Sequence, residues 1–225
     1  SWTAPASGTF TDLSSLALDN SGNILVANDG SVFVGTMATE GVWPILWGST
    51  SSAAGYFSYP VGLATDTSGN LYLADMLNHR VQIRDATGNW TAIGSEGNGL
   101  AEFLAPNGVA VDTAGNFYVA DTGNNRIQIR NAAGTWTSIG ENGDGLGQFY
   151  HPTGIAVDTS GNLYVADSGN NRIQVRDTDG AWTAITTPGS DLGSFSSPYS
   201  LTLRAGKLYV ADRYNNRVLV RDAAG

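Results

Sequence analysis

The sequence predicts an all-β protein built from five copies of one four-stranded unit. Three observations predict it. Prolines 60, 106, 152 and 198 recur at a constant step of 46 residues, and Trp90, Trp136 and Trp182 keep that step. Each copy holds short runs of β-forming residues separated by Gly-, Asn- and Asp-rich turns, with no helical periodicity. Repetition at such a period marks a fold whose units bury their apolar faces only by stacking on one another.

The copy from Pro106 to Gly140 shows the unit in order. Gly108-Val109-Ala110-Val111 is a short apolar run, suited to a strand buried on both faces. Asp112-Thr113-Ala114-Gly115-Asn116 is a turn, in which the Asp carboxylate can hold backbone N–H groups and the glycine supplies a positive φ. Phe117 to Ala120 is a second strand, and Thr122-Gly123-Asn124-Asn125 turns the chain again. Arg126-Ile127-Gln128-Ile129-Arg130 alternates strictly and is expected to be half buried. Asn131 to Gly134 turns once more, and Thr135 to Ile139 is the fourth strand. Four short antiparallel strands per repeat make a blade of a β-propeller.

The five copies span residues 13–58, 59–104, 105–150, 151–196 and 197–225, within a single domain of 1–225. The last copy stops at Arg221-Asp222-Ala223-Ala224-Gly225, where its outer strand is due, while Ser1-Trp2-Thr3-Ala4 matches the outer strand Asn89-Trp90-Thr91-Ala92. Residues 1–12 are therefore expected to supply the outer strand of the last blade and close a five-bladed ring, removing an open sheet edge. A monomer is expected. The alternative is a strand-swapped oligomer in which this segment completes a neighbour's blade.

The repeats resemble the NHL family. Its pattern of P-x-G-(I/V)-A-V-D, then G-N-(L/F)-Y-V-A-D, then N-N-R-I-Q-V stands in Pro152–Asp158, Gly161–Asp167 and Asn170–Val175. The match covers 58–225 and is weaker over 1–57. The resemblance implies a propeller with the first strand of each blade lining a central channel. The family's propellers usually carry six blades, against five repeats here.

Each hairpin between the second and third strands carries an Asp and an Arg five residues apart: Asp75 and Arg80, Asp121 and Arg126, Asp167 and Arg172, Asp212 and Arg217. A motif built once per repeat points to the fold, so these pairs are read as structural clamps on the turn. The functional alternative is a ring of anion- or sugar-binding arginines. Asp19, Asp66, Asp112 and Asp158 recur at the turn after the first strand and are read as turn caps.

Composition removes several chemistries. The chain has no cysteine, so it has no disulfide and no thiolate ligand or nucleophile. Its formal charge is −9 and Lys207 is the sole lysine, which argues against nucleic acid and anionic membranes. No apolar run reaches the ~20 residues of a membrane helix. With only His79 and His151, the chain departs from the amidating-lyase branch that shares the repeat, whose metal site uses several histidines. No G-x-S-x-G elbow is present. Glu141-Asn142-Gly143-Asp144-Gly145 offers hard oxygens to calcium but lacks a full calcium-loop pattern, so no cofactor is expected.

Departures from the repeat are where function is sought. The second copy has Met76-Leu77 and His79 where others have Thr-Gly and Asn, and the last has Arg213-Tyr214 there and Tyr199-Ser200 in place of x-Gly. The first copy inserts Trp43-Pro44-Ile45-Leu46-Trp47. In a closed ring these three blades are consecutive. Tyr199, Arg213, Tyr214, Trp43, Trp47, Tyr56, Tyr59, Met76, Leu77 and His79 are expected to form an aromatic arc on one face, of a composition suited to a partner. The function expected is a non-catalytic module binding a protein, peptide or glycan, secreted, periplasmic or on a cell surface. The alternatives are a lyase or hydrolase at the channel mouth and a structural or self-assembling scaffold.

Overall fold

The computed structural model describes residues 13–18, 23–28, 31–36, 45–47, 53–186 and 194–222. Its strands form five antiparallel sheets in chain order. The first holds β1 (Leu13–Leu18), β2 (Asn23–Asn28), β3 (Ser31–Thr36) and β4 (Ile45–Trp47). The second holds β5 (Pro60–Thr65), β6 (Leu71–Asp75), β7 (Arg80–Arg84) and β8 (Trp90–Ile93). The third holds β9 (Pro106–Val111), β10 (Phe117–Asp121), β11 (Arg126–Arg130) and β12 (Trp136–Ile139), and the fourth holds β13 (Pro152–Val157), β14 (Leu163–Asp167), β15 (Arg172–Arg176) and β16 (Trp182–Ile185). The last has three strands among the described residues, β17 (Pro198–Arg204), β18 (Lys207–Asp212) and β19 (Arg217–Asp222). The expected closing strand at 1–12 lies outside the described residues.

Local chemistry sets the turns. Asp112 Oδ1 accepts the N–H groups of Ala114 (2.9 Å) and Asn116 (2.8 Å), and its Oδ2 accepts the Asn116 amide (2.7 Å) and the Tyr118 hydroxyl (3.0 Å). Asp66 and Asp158 hold the same turn in their sheets. Burial, reinforced by the adjacent Asp112, pushes the Tyr118 phenol up to about 12. Between the second and third strands a single 3-10 turn ends on a residue in the left-handed region: His79, Asn125, Asn171 or Asn216. Asn tolerates that conformation well among non-glycine residues.

Successive inner strands approach closely because of a glycine. A Cβ on Gly108 would stand 2.2 Å from the Thr153 carbonyl oxygen, and one on Gly62 2.2 Å from that of Asn107. The core lies between sheets rather than within one. Val61, Ala74 and Val81 of the second sheet pack against Val109, Phe117 and Val119 of the third and against Phe103 of the loop between the two. The joint is plugged by Phe103, whose ring meets Trp136 edge-on at 5.7 Å.

One expectation is corrected. In β7, β11 and β15 the alternation does not leave one face to solvent at mid-strand: Ile127 and Gln128 are both 0% exposed, because the isoleucine fills the joint to the next sheet while the glutamine turns into a polar network. The joint that would close the ring is weaker than the others among the described residues. β1, β5, β9, β13 and β17 lie side by side in that order, but β17 does not pack on β1 to the same extent among the described residues. Val218 is accordingly 65% exposed where its equivalents Val81, Ile127 and Ile173 are 0%. Leu16 is 67% exposed where Leu63, Val109 and Ile155 are buried.

Candidate functional site: the hairpin end and the channel mouth

The 3-10 turns and the segments entering the inner strands share one end of the molecule, joined by backbone bonds such as Gly123 N–H to Leu104 O (2.8 Å) and Tyr214 N–H to Ser196 O (3.1 Å). The clamps reach further than a hairpin. Asp121 is 0% exposed; its Oδ1 accepts the Leu104 N–H (2.7 Å), and its Oδ2 accepts Arg126 Nε (2.7 Å) and Gln128 Nε2 (3.0 Å). Asn124 donates to both carboxylate oxygens. Arg126 then caps the carbonyls of Asn98, Gly99 and Glu102. The clamp therefore ties the hairpin to the loop that enters the same blade. Asp75 with Arg80, Asp167 with Arg172 and Asp212 with Arg217 repeat the ion pair at 2.7 to 2.8 Å. In the last blade Leu219 replaces the glutamine. Burial there tends to raise the Asp212 pKa, but hydrogen bonds from the Ser196 N–H, Asn215 and Arg217 outweigh it and hold the carboxyl below its ordinary value.

The same network occupies the loop weighed for calcium. The carbonyls of Asp144 (2.5 Å) and Gly145 (2.7 Å) accept the Arg172 guanidinium. Among the described residues no three acids or histidines cluster as metal ligands.

The expected arc is divided by the structure. His79 does the work of its asparagine counterparts: Nδ1 accepts the Ala105 N–H (3.0 Å), as Asn125 accepts His151 N–H (2.8 Å) and Asn171 accepts Ser197 N–H (2.7 Å). Each is a latch between consecutive blades. Met76 packs partly against the apolar joint of the second and third sheets. Leu77, Tyr56 and Tyr59 are exposed, and Tyr59 adopts a φ of 57°. Trp43 lies outside the described residues. Trp47 ends β4, the outermost strand of the first sheet. Tyr199, Arg213 and Tyr214 do come together: the Arg213 guanidinium lies 5.1 Å from the Tyr199 ring centroid and 5.7 Å from that of Tyr214. Such stacking is a cation–π arrangement. Arg213 and Tyr214 are both exposed.

Sequence reasoning missed Asn107, a buried residue on β9 whose amide donates to the Tyr199 hydroxyl (2.9 Å) across the intervening fourth blade. The pair stands at the mouth of a central cavity of about 810 Å³ lined by all five inner strands. Also missed were Gln82, Gln128 and Gln174, although one polar residue repeated at mid-strand was a visible signal.

Blades of antiparallel strands set side by side around a central cavity define an all-β propeller. The chain carries NHL repeats: residues 57–83, 103–129 and 149–175 match the NHL repeat model. No curated protein matches the sequence. Similar solved structures include a virginiamycin B lyase from Staphylococcus aureus, 15% identical, TM-score 0.65, with 93% of this chain and 69% of that one covered. An auxiliary nutrient binding protein from Bacteroides ovatus is 14% identical, TM-score 0.72, with 96% of this chain and 61% of that one covered. A gluconolactonase from Xanthomonas campestris is 18% identical, TM-score 0.68, with 89% and 69% covered. At these identities the likeness is one of fold. The chain thus spans about three fifths of the length of the Bacteroides protein.

Proposed function

We propose that this propeller is a binding module with no catalysis of its own, recognising a protein, peptide or glycan at its hairpin end. One observation carries the reading: exposed Arg213 and Tyr214 stand, with Tyr199, where the third and fourth blades spend small residues on the fold. Thr122 there donates to the Pro152 carbonyl (2.6 Å) and Ser168 to that of Pro198. Arginine and tyrosine are the types that anchor partners. The described lining of the cavity is made of aliphatic side chains with Ser, Thr, Asn107 and Tyr199. The test is an array of glycans and peptides probed with the parent and with Tyr214→Ala. Binding lost in the variant at unchanged melting temperature is expected; array binding that survives it unchanged overturns the reading.

The closed five-bladed ring is proposed on the complementarity of the two chain ends, with residues 1–12 completing the last blade. Deleting Ser1–Ala6 should then cost about 3 kcal/mol or more, as an edge strand and Trp2 are lost. A truncated chain that melts with the parent contradicts closure. A secreted, periplasmic or cell-surface setting is proposed from the Ser-, Thr- and Asn-rich, lysine-poor sequence. Among the described residues no helix is long and apolar enough to cross a membrane.

A further inference from the structure

The geometry points to a site for a carboxylate-bearing sugar at the channel mouth, formed by Arg213, Tyr199, Tyr214 and Asn107. It rests on the binding-module reading and gives that module a ligand class. Asn107 and Tyr199 are 92 residues apart in sequence and meet at 2.9 Å. Because the Tyr199 oxygen accepts from Asn107, its own O–H remains to donate. The Asn107 carbonyl oxygen accepts no bond from any described residue. The mouth therefore presents one donor and one acceptor side by side, the pair a sugar hydroxyl needs since it both gives and takes a hydrogen bond.

Beside this pair stands the guanidinium of Arg213. Arg80, Arg126, Arg172 and Arg217 are each spent on a buried aspartate, whereas Arg213 has no acidic partner among the described residues. It is held by the two tyrosine rings, which orient its fork without consuming its donors. A planar fork of N–H groups matches a carboxylate with two parallel bonds. The Tyr214 ring, 68% exposed, supplies an apolar face for the C–H face of a pyranose. The cavity beneath is lined by uncharged side chains among the described residues, which suits the neutral part of the ligand.

The experiment titrates glucuronate, with glucose as its neutral twin, into isotope-labelled protein while following the Asn107 side-chain amide and the Arg213 Nε–H by NMR. Glucuronate should shift both signals and glucose should shift neither at the same concentration. Arg213→Met, which keeps the bulk and removes the charge, should weaken glucuronate at least tenfold, or about 1.4 kcal/mol. Arg213→Lys should weaken it less, and Asn107→Leu should weaken it at unchanged Arg213 charge. Equal binding of the two sugars, or glucuronate binding untouched by Arg213→Met, overturns the assignment. Silence of both signals also overturns it. If array binding is nonetheless lost in Tyr214→Ala, the binding-module reading stands and only the ligand class falls.

Discussion

Replacing Asp121 by alanine is expected to cost about 3–5 kcal/mol, the range for removing one partner of a buried ion pair. The carboxylate is wholly buried and takes hydrogen bonds from Leu104 N–H, Asn124, Arg126 and Gln128. Alanine leaves the Leu104 N–H and the Gln128 amide short of an acceptor and strips Arg126 of its counter-charge. Gln128 retains the Glu102 carbonyl and Arg126 retains three carbonyls, so the loss stays within that range. Asp121→Asn keeps one acceptor oxygen and should lie between the two. Denaturant unfolding reads the difference, and a change below about 1 kcal/mol would fit a solvent-exposed pair instead.

Phe103→Ala should cost a similar amount, about 3–5 kcal/mol, by opening a cavity in the joint between the second and third blades. Its ring is fully buried among Val61, Val81 and Val119, and meets Trp136 edge-on. Gly94 is pressed onto it so closely that a Cβ there would stand 2.4 Å from the ring. The joint cannot refill that space with a small shift, because the strands on either side are pinned by backbone contacts at Gly62. Phe103→Leu should recover part of the loss. A Phe103→Ala chain that unfolds at the parent's denaturant midpoint would place the core inside the sheets rather than between them.

Local patterns carried the blade. The Asp-x-x-Gly-Asn turns and the Asp and Arg of each hairpin were legible, because each satisfies backbone groups within a few residues of itself. The reach of the clamp was not. Gln128 looked like the polar half of an alternating strand, and alternation does not reveal that a polar residue faces a buried carboxylate. His79 looked like a broken repeat, yet its Nδ1 accepts the bond that an asparagine oxygen accepts elsewhere. Met76 likewise fills space at a joint. A substitution that departs in type can thus conserve the physics. Arg213 does neither: it lacks the short hydroxyl of Thr122 and Ser168, and it fills no apolar joint among the described residues. Tyr199 was legible as a departure from the repeat, but its bond to Asn107 was not, because only the curvature of the inner strands brings the two together.

The central claim is that repeated residues hold the fold while Arg213 and Tyr214 are free of that duty. Melting temperatures of Asp121→Ala, Arg213→Met and Tyr214→Ala, measured side by side, test it most directly. A large drop is expected for the first and values within a degree or so of the parent for the other two, as for exposed substitutions in general. A drop in Arg213→Met or Tyr214→Ala comparable to that in Asp121→Ala would show that the departures serve packing, and would contradict the account.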